Sequence, residues 1–339
     1  MKQDKKQDDK IDFVITWVDG SDEKWLEEKN RFLEKPVDDL ADAKARYRDL
    51  GTLKYWFRSV EKNAPWVNKI YFITWGHLPE WLDTSNEKLV IVNHEDYIPN
   101  EILPTFNSNS IEMYMHKIDG LSENFVYFND DVFIGKKVKP ADFFKNGKPK
   151  DCLVFNAIQH NGKDRAFCGI QSNNLKLIST KFNKREVVKK NFWKVYNLKY
   201  GKELLRTICL MPWSNFTGFY NPHVAFSFKK QSFVDIWDMF GDELYEATTH
   251  RIRTETDFSM YLMRYWQLLN GDFIPKKTYK DKYFSAKGNL KKICRAITRK
   301  KYRMFCINDA NVDVDFNYFT GEVVKAFEKV LPEKSSFEK

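Results

Sequence analysis

The sequence runs to 339 residues, 42% hydrophobic and 16% aromatic, which is enough for one large domain or two small ones around a substantial core. Lys and Arg number 56 against 47 Asp and Glu, a net charge of +9 that favours anionic partners such as nucleotide phosphates, a phosphorylated polymer or an anionic membrane surface. Five scattered cysteines without a CxxC argue for a reduced, cytosolic protein and against a disulfide framework, and neither zinc-finger spacing nor an Arg/Gly-rich tract points to nucleic acid.

Residues 1–10 read as a disordered polar tail with no apolar stretch of the signal-peptide kind, and no apolar run approaches the roughly 20 residues of a spanning helix. Phe13 to Val18 is a nearly continuous apolar run, as expected of a strand buried on both faces. Asp19-Gly20-Ser21-Asp22 breaks it, and Ser21 or Asp22 can cap a helix toward Phe32. Leu50, Leu53, Phe57 and Val60 keep helical spacing until Pro65, followed by buried strands over Ile70–Trp75 and Leu89–Val92. Ser108 can cap a helix carrying Ile111, Met115 and Ile118, and a fourth strand, Phe125–Phe128, ends in Asn129-Asp130-Asp131. Residues 151–212 are less regular, rich in Asn and Lys, and read as an insertion or lobe flanking the acceptor side. Mixed elements return over 213–275 with a helix near Gln231–Phe240, 287–303 is strongly basic, and a closing helix is expected from about Gly321 to Leu331 with Thr320 as its cap.

Strands alternating with helices imply an α/β fold, a mostly parallel sheet flanked by helices. Ligands of such sheets bind beyond the carboxyl ends of the strands, so Asp19 and Asp130/Asp131, each just past a strand, are expected to converge on one crevice. Adjacent carboxylates repel unless a cation neutralises them, and hard oxygen ligands suit Mg²⁺ or Mn²⁺; solvated turn aspartates are the plainer alternative. Trp17 either stacks on a base or sugar or belongs to the core, and Gly20 permits close backbone approach or positive φ. His223 can take a proton, ligate a metal or be structural. Arg251 and Arg253 can clamp a phosphate or form a solvated edge. Asn308-Asp309 is a second candidate ligand pair or a turn. In 287–303, eight basic residues accompany Leu290, Ile293, Cys294 and Ile297 on one helical face, which suits an anionic membrane, a polyanionic acceptor or a solvated helix. Walker, GxGxxG and GxSxG motifs are all missing, which argues against P-loop kinases, dinucleotide oxidoreductases and serine hydrolases.

Four ordered blocks of this chain resemble the Stealth family, which includes bacterial capsular polysaccharide phosphotransferases and the catalytic part of the animal N-acetylglucosamine-1-phosphotransferase. They are residues 11–20; Arg46-Tyr47-Arg48-Asp49 through 58–61 and 64–67 to 103–106 and 128–132; Pro222-His223 to Arg253 and Asp257; and Cys306-Ile307-Asn308-Asp309 to the end. The resemblance implies a nucleotide-sugar-transferase-like (GT-A or Rossmann-like) fold, with 11–150 as the nucleotide-sugar half, 151–212 inserted and 213–339 completing the catalytic domain. It also implies transfer of a hexose-1-phosphate from a UDP-sugar to an oligo- or polysaccharide hydroxyl with release of UMP. The family's essential groups fall on Asp19, Asp130 or Asp131, His223 and Arg253. Trp17, Gly20, Arg46, Arg48 and Asn129 are then expected beside the substrates, with Asp130, Asp131, Asn308 and Asp309 around the metal. A cytoplasmic location follows, with 287–303 as a peripheral contact at the inner face of the bacterial membrane. Two alternatives stay open at this level: a glycosyltransferase releasing UDP, and a carbohydrate- or polyanion-binding module without activity.

Overall fold

The computed structural model describes residues 10–33, 50–159, 165–309 and 314–339. The first apolar run is β1 (Ile11–Thr16), and Asp22 caps α1 (Glu23–Asn30) by accepting from Trp25 N at 2.8 Å. There follow α2 (Leu53–Asn63), β2 (Ile70–Thr74), β3 (Leu89–Asn93), α3 (Ser108–Met113), β4 (Asn124–Asn129), β5 (Val132–Ile134), β6 (Phe144–Lys145) and β7 (Lys148–Asp151). The next stretch is helical, with α4 (Arg165–Ser179), α5 (Lys184–Lys190), α6 (Phe192–Val195) and α7 (Leu204–Leu210). The chain closes with β8 (Phe226–Lys229), α8 (Lys230–Thr248), α9 (Tyr261–Leu269), β9 (Ile274–Pro275), β10 (Asp281–Ser285), α10 (Leu290–Thr298), β11 (Met304–Asn308) and α11 (Phe316–Glu328).

The main sheet has the order β3-β2-β1-β4-β8, with the first four strands parallel and β8 antiparallel to β4. Its strands are apolar on both faces because both faces are covered. Phe13, Ile15, Phe72, Val126 and Phe128 pack into one core with α2, α10 and α11, while Val14, Tyr71, Ile73, Phe125 and Tyr127 pack into another with α8 and α9. The α/β architecture expected from the sequence is thus present. The chain winds outward from β1 to β3, then returns to place β4 on the other side of β1. That reversal makes the carboxyl ends of β1 and β4 the switch point of the sheet, the place where ligands of such sheets bind. A smaller sheet, β10-β11-β5, is built from β5 immediately after β4, so it abuts the same edge.

Three local expectations are corrected. The last helix starts at Phe316, capped by Asp315, which accepts from Tyr318 N at 2.8 Å; Thr320 lies inside and turns its hydroxyl back onto Phe316 O at 2.8 Å. Asn107, not Ser108, caps α3, accepting from Asn109 N at 3.1 Å. The basic segment is helical only over Leu290–Thr298, and its apolar stripe faces inward: Ile293 and Ile297 are buried in the core with α11.

Candidate active site

At the end of β1 the chain turns sharply. Asp19 Oδ1 accepts from Ser21 N at 2.9 Å and Ser21 Oγ at 2.6 Å, a local turn that short polar side chains favour. Asp19 N donates to His77 Nε2 at 2.7 Å, and His77 sits just beyond β2, with its own carbonyl accepting from Thr74 Oγ1 at 2.6 Å. Burial lowers the His77 pKa against the raising pull of Asp22 and Asp19, which favours the neutral ring that this acceptor role requires.

At the end of β4, Asn129, Asp131 and His223 come together. His223 Nε2 lies 3.2 Å from Asn129 Nδ2 and 3.4 Å from Asp131 Oδ2, and Cys306 Sγ donates to the same Oδ2 at 3.0 Å. β11 is held here by its antiparallel pairing with β5, Ile307 N donating to Asp131 O at 2.9 Å. Asp131 Oδ1 is buried without a hydrogen-bond partner among the described residues, an arrangement that costs free energy unless something charged or protic meets it. One donor atom each from Asp131, His223 and Cys306 lie within 4.8 Å of one another, so this corner can hold a metal ion. Burial first, then the carboxylates of Asp131, Asp130 and Asp309, push the Cys306 thiol well above its ordinary range; Asp130 and Asp309 therefore border the corner as well. Burial disfavours the charged form of His223, but Asp131, Glu112 and Asp130 outweigh it and raise its pKa.

A third group stands behind these two. Glu112 of α3 is buried and accepts from Tyr127 Oη at 3.0 Å, and Tyr127 Oη also meets Thr16 Oγ1 at 2.9 Å. Burial raises the Glu112 carboxyl to about 7, against the lowering effects of Arg253, the Tyr127 hydrogen bond and His223. Arg253 donates through Nη2 to Ser108 Oγ, one helical turn from Glu112. The loop carrying Arg253 is pinned to α3 by Asp257, which accepts from Asn107 Nδ2 at 2.6 Å and Thr254 Oγ1 at 2.7 Å and pairs with His250 Nδ1 at 2.8 Å.

Of the residues expected from the sequence, Asn129, Asp130, Asp131, His223 and Asp309 are brought to one corner, with Asn308 at the adjoining end of β11. Arg253 approaches through Glu112, and Asp19 stands at the end of the neighbouring β1. Trp17 is buried, its ring 5.7 Å from Phe72 and edge-on to His77 at 5.3 Å, while Gly20 follows in the Asp19 turn. Arg46 and Arg48 lie outside the described residues. Arg251 is engaged elsewhere, its Nη1 donating to the carbonyls of Ile102 at 2.7 Å and Pro104 at 2.6 Å. Sequence reasoning missed Glu112, Tyr127, Cys306 and His77. The signals were slight: Glu112 follows Ser108 by one helical turn, and alternation along β11 puts Cys306 on the same face as Asn308.

The fold and this cluster define an α/β class of protein with polar and titratable side chains gathered at the carboxyl edge of a parallel sheet. Comparison with known proteins narrows that class. Residues 9–36 match the model of Stealth protein conserved region 1, and residues 46–151 that of conserved region 2. A capsular polysaccharide phosphotransferase, WcwK, of Streptococcus pneumoniae is 44% identical over 336 residues, spanning 98% of this chain and 99% of that protein. The exopolysaccharide phosphotransferase cps2G of Lactiplantibacillus plantarum is 41% identical over 331 residues, spanning 97% and 96%. The chain belongs to the Stealth family, and it is a transferase. Among solved structures, the galactosyltransferase LgtC with donor and acceptor sugar analogues aligns over 93% of this chain and 95% of its own at 10% identity and a TM-score of 0.39, a likeness too slight to carry an argument.

Proposed function

We propose that the protein transfers hexose-1-phosphate or N-acetylhexosamine-1-phosphate from a UDP-sugar to a carbohydrate hydroxyl during capsular or cell-surface polysaccharide synthesis. UMP leaves and a phosphodiester forms. The observation that carries this reading is full-length similarity to proteins named polysaccharide phosphotransferases. The acceptor oxygen attacks the β-phosphorus, the bond from that phosphorus to the oxygen of UMP breaks, and the sugar keeps its anomeric C–O bond.

Phosphoryl transfer asks mainly for positioning and charge neutralisation. Arg253 suits the transferred phosphoryl, since its planar fork matches paired oxygens and Ser108 and the Asp257-pinned loop hold it. Glu112 takes the acceptor proton in this reading, because a carboxyl poised near 7 is matched to a general base at neutral pH. His223, its charge favoured by the carboxylates around it, stabilises the anion and orients Asp131. Asp19 and its turn border the nucleotide or donor sugar. Asp131, joined by Asp130, Asn308 and Asp309, would hold Mg²⁺ or Mn²⁺; the unpartnered Asp131 Oδ1 supports the fit. A bound divalent cation supplies charge neutralisation at the pyrophosphate. The location proposed is the cytoplasm. No helix among the described residues is long and apolar enough to cross a membrane. Contact of 287–303 with an anionic surface would be electrostatic, since its apolar stripe packs inward.

The test is incubation with a panel of UDP-sugars, a divalent ion and carbohydrate acceptors. UMP among the products supports phosphotransfer, UDP supports glycosyl transfer, and no turnover of any donor supports a binding module.

A further inference from the structure

The segment 184–213 carries a surface to which the proposed transfer assigns no role. Leu198 is 87% exposed, Trp193 80%, Leu205 63%, Trp213 57% and Ile208 49%, an unusual concentration of large apolar side chains in water. Along α7 this is a face with a direction. Glu203 and Thr207 point into the protein, and Leu205, Ile208 and Cys209 fall on the opposite side of the helix. Trp213 follows directly, and Leu198 opens the 3₁₀ segment that runs into α7.

These apolar groups stand among cations. From Val187 to Lys202 the chain has five lysines and no acid. Lys194 turns inward to Gly271 O, but Lys189, Lys190 and Lys199 are exposed and form no ion pair among the described residues. The platform beneath is firm. Lys184, buried, donates to Leu210 O at 2.6 Å and Trp213 O at 2.7 Å, tying the end of α7 to α5. Phe155 N donates to Thr207 Oγ1 at 3.0 Å, and Phe155 bridges to Phe219, four residues from His223.

From this we infer that residues 192–213 form a docking surface for an anionic phospholipid bilayer, with Trp193, Leu198, Leu205, Ile208 and Trp213 entering the interfacial layer and Lys189, Lys190 and Lys199 meeting the headgroups. Charge complementarity selects the occupant. Aromatic and aliphatic side chains at the headgroup boundary, flanked by unpaired lysines, satisfy both requirements of interfacial binding, whereas a second copy of this cationic face would oppose lysine to lysine. The surface is distinct from 287–303, whose apolar side is already covered, and goes beyond the proposed transfer reaction, on which it does not depend.

The experiment is co-sedimentation of the full chain with vesicles of phosphatidylglycerol and phosphatidylcholine, and of phosphatidylcholine alone. Wild type should pellet with the anionic vesicles and be released by salt. Leu205→Gln/Ile208→Gln/Trp213→Gln should weaken binding about tenfold or more at unchanged thermal stability, since all three side chains are exposed. Lys189→Gln/Lys190→Gln/Lys199→Gln should remove the preference for the anionic lipid, while Lys291→Gln/Lys292→Gln/Arg299→Gln/Lys300→Gln should retain most of the binding. Failure of wild type to bind, or normal binding by the apolar triple variant, overturns the inference. So does a concentration-dependent dimer in light scattering that the triple variant abolishes while vesicle binding is absent. Turnover of soluble substrates is read separately, so its loss would bear on the transfer reaction and not on this surface.

Discussion

At Arg251 the guanidinium donates to the carbonyls of Ile102 and Pro104, whereas at Arg253, two residues on, it reaches Ser108 beside Glu112. Their substitutions should therefore separate. Arg251→Ala leaves carbonyls without donors and should cost about 1–3 kcal/mol of stability, with kcat near normal where the protein is folded. Arg253→Lys should lower kcat by about tenfold or more with little change in thermal midpoint, because a point charge does not replace a fork. Equal kcat losses in both variants would refute the division. Glu112 allows a sharper test. Its folded pKa, about 7, lies above the ordinary carboxyl value of 4.5, so the folded state binds more protons than the unfolded state between those values and stability falls as pH rises through that window. Glu112→Gln should then stabilise the protein above neutral pH, by up to about 3 kcal/mol, while abolishing most of kcat and the rise of kcat/KM through neutral pH. A destabilised variant that keeps the wild-type pH profile would remove Glu112 from the base role.

The strands were legible because burial on both faces writes them as short apolar runs, and the turn after β1 was legible because Asp and Gly interrupt such a run. Helices of one or two turns were harder. α3 spans six residues, and nothing local says that its Glu112 faces the sheet edge; that follows from the loop that Asp257 ties to Asn107. The amphipathic pattern of α10 was equally plain, but a stripe of Ile and Leu does not reveal whether α11 or a membrane covers it. Element packing also supplies a prediction at Gly169 of α4, where an added Cβ would stand 2.3 Å from Glu255 O, in the loop that carries Arg253. Gly169→Ala must displace that loop, at a strain of about 1–3 kcal/mol. It should reduce kcat through Arg253 although residue 169 touches no reacting group. Unchanged kcat, measured together with the thermal midpoint, would show that the loop's position is not critical.

For the whole molecule, the sheet reversal between β1 and β4 explains why residues as distant in sequence as Asp19, Glu112, Asp131, His223 and Arg253 share one edge. Strand-end acids could be anticipated from the pattern; for Cys306 the alternation with Asn308 gave only a face, because it reaches Asp131 through the pairing of β11 with β5. If this corner holds the divalent ion, EDTA should remove activity, Mn²⁺ or Mg²⁺ should restore it, and Asp131→Asn should bind the ion more weakly by calorimetry while remaining folded. Full turnover in excess EDTA would contradict that placement. The central claim, attack at phosphorus rather than at the anomeric carbon, is tested most directly by identifying the nucleotide released from a UDP-sugar in the presence of acceptor. The account predicts UMP in equal amount to a new sugar phosphodiester resolved by phosphorus NMR; UDP, with a phosphorus-free glycoside as the other product, would contradict it.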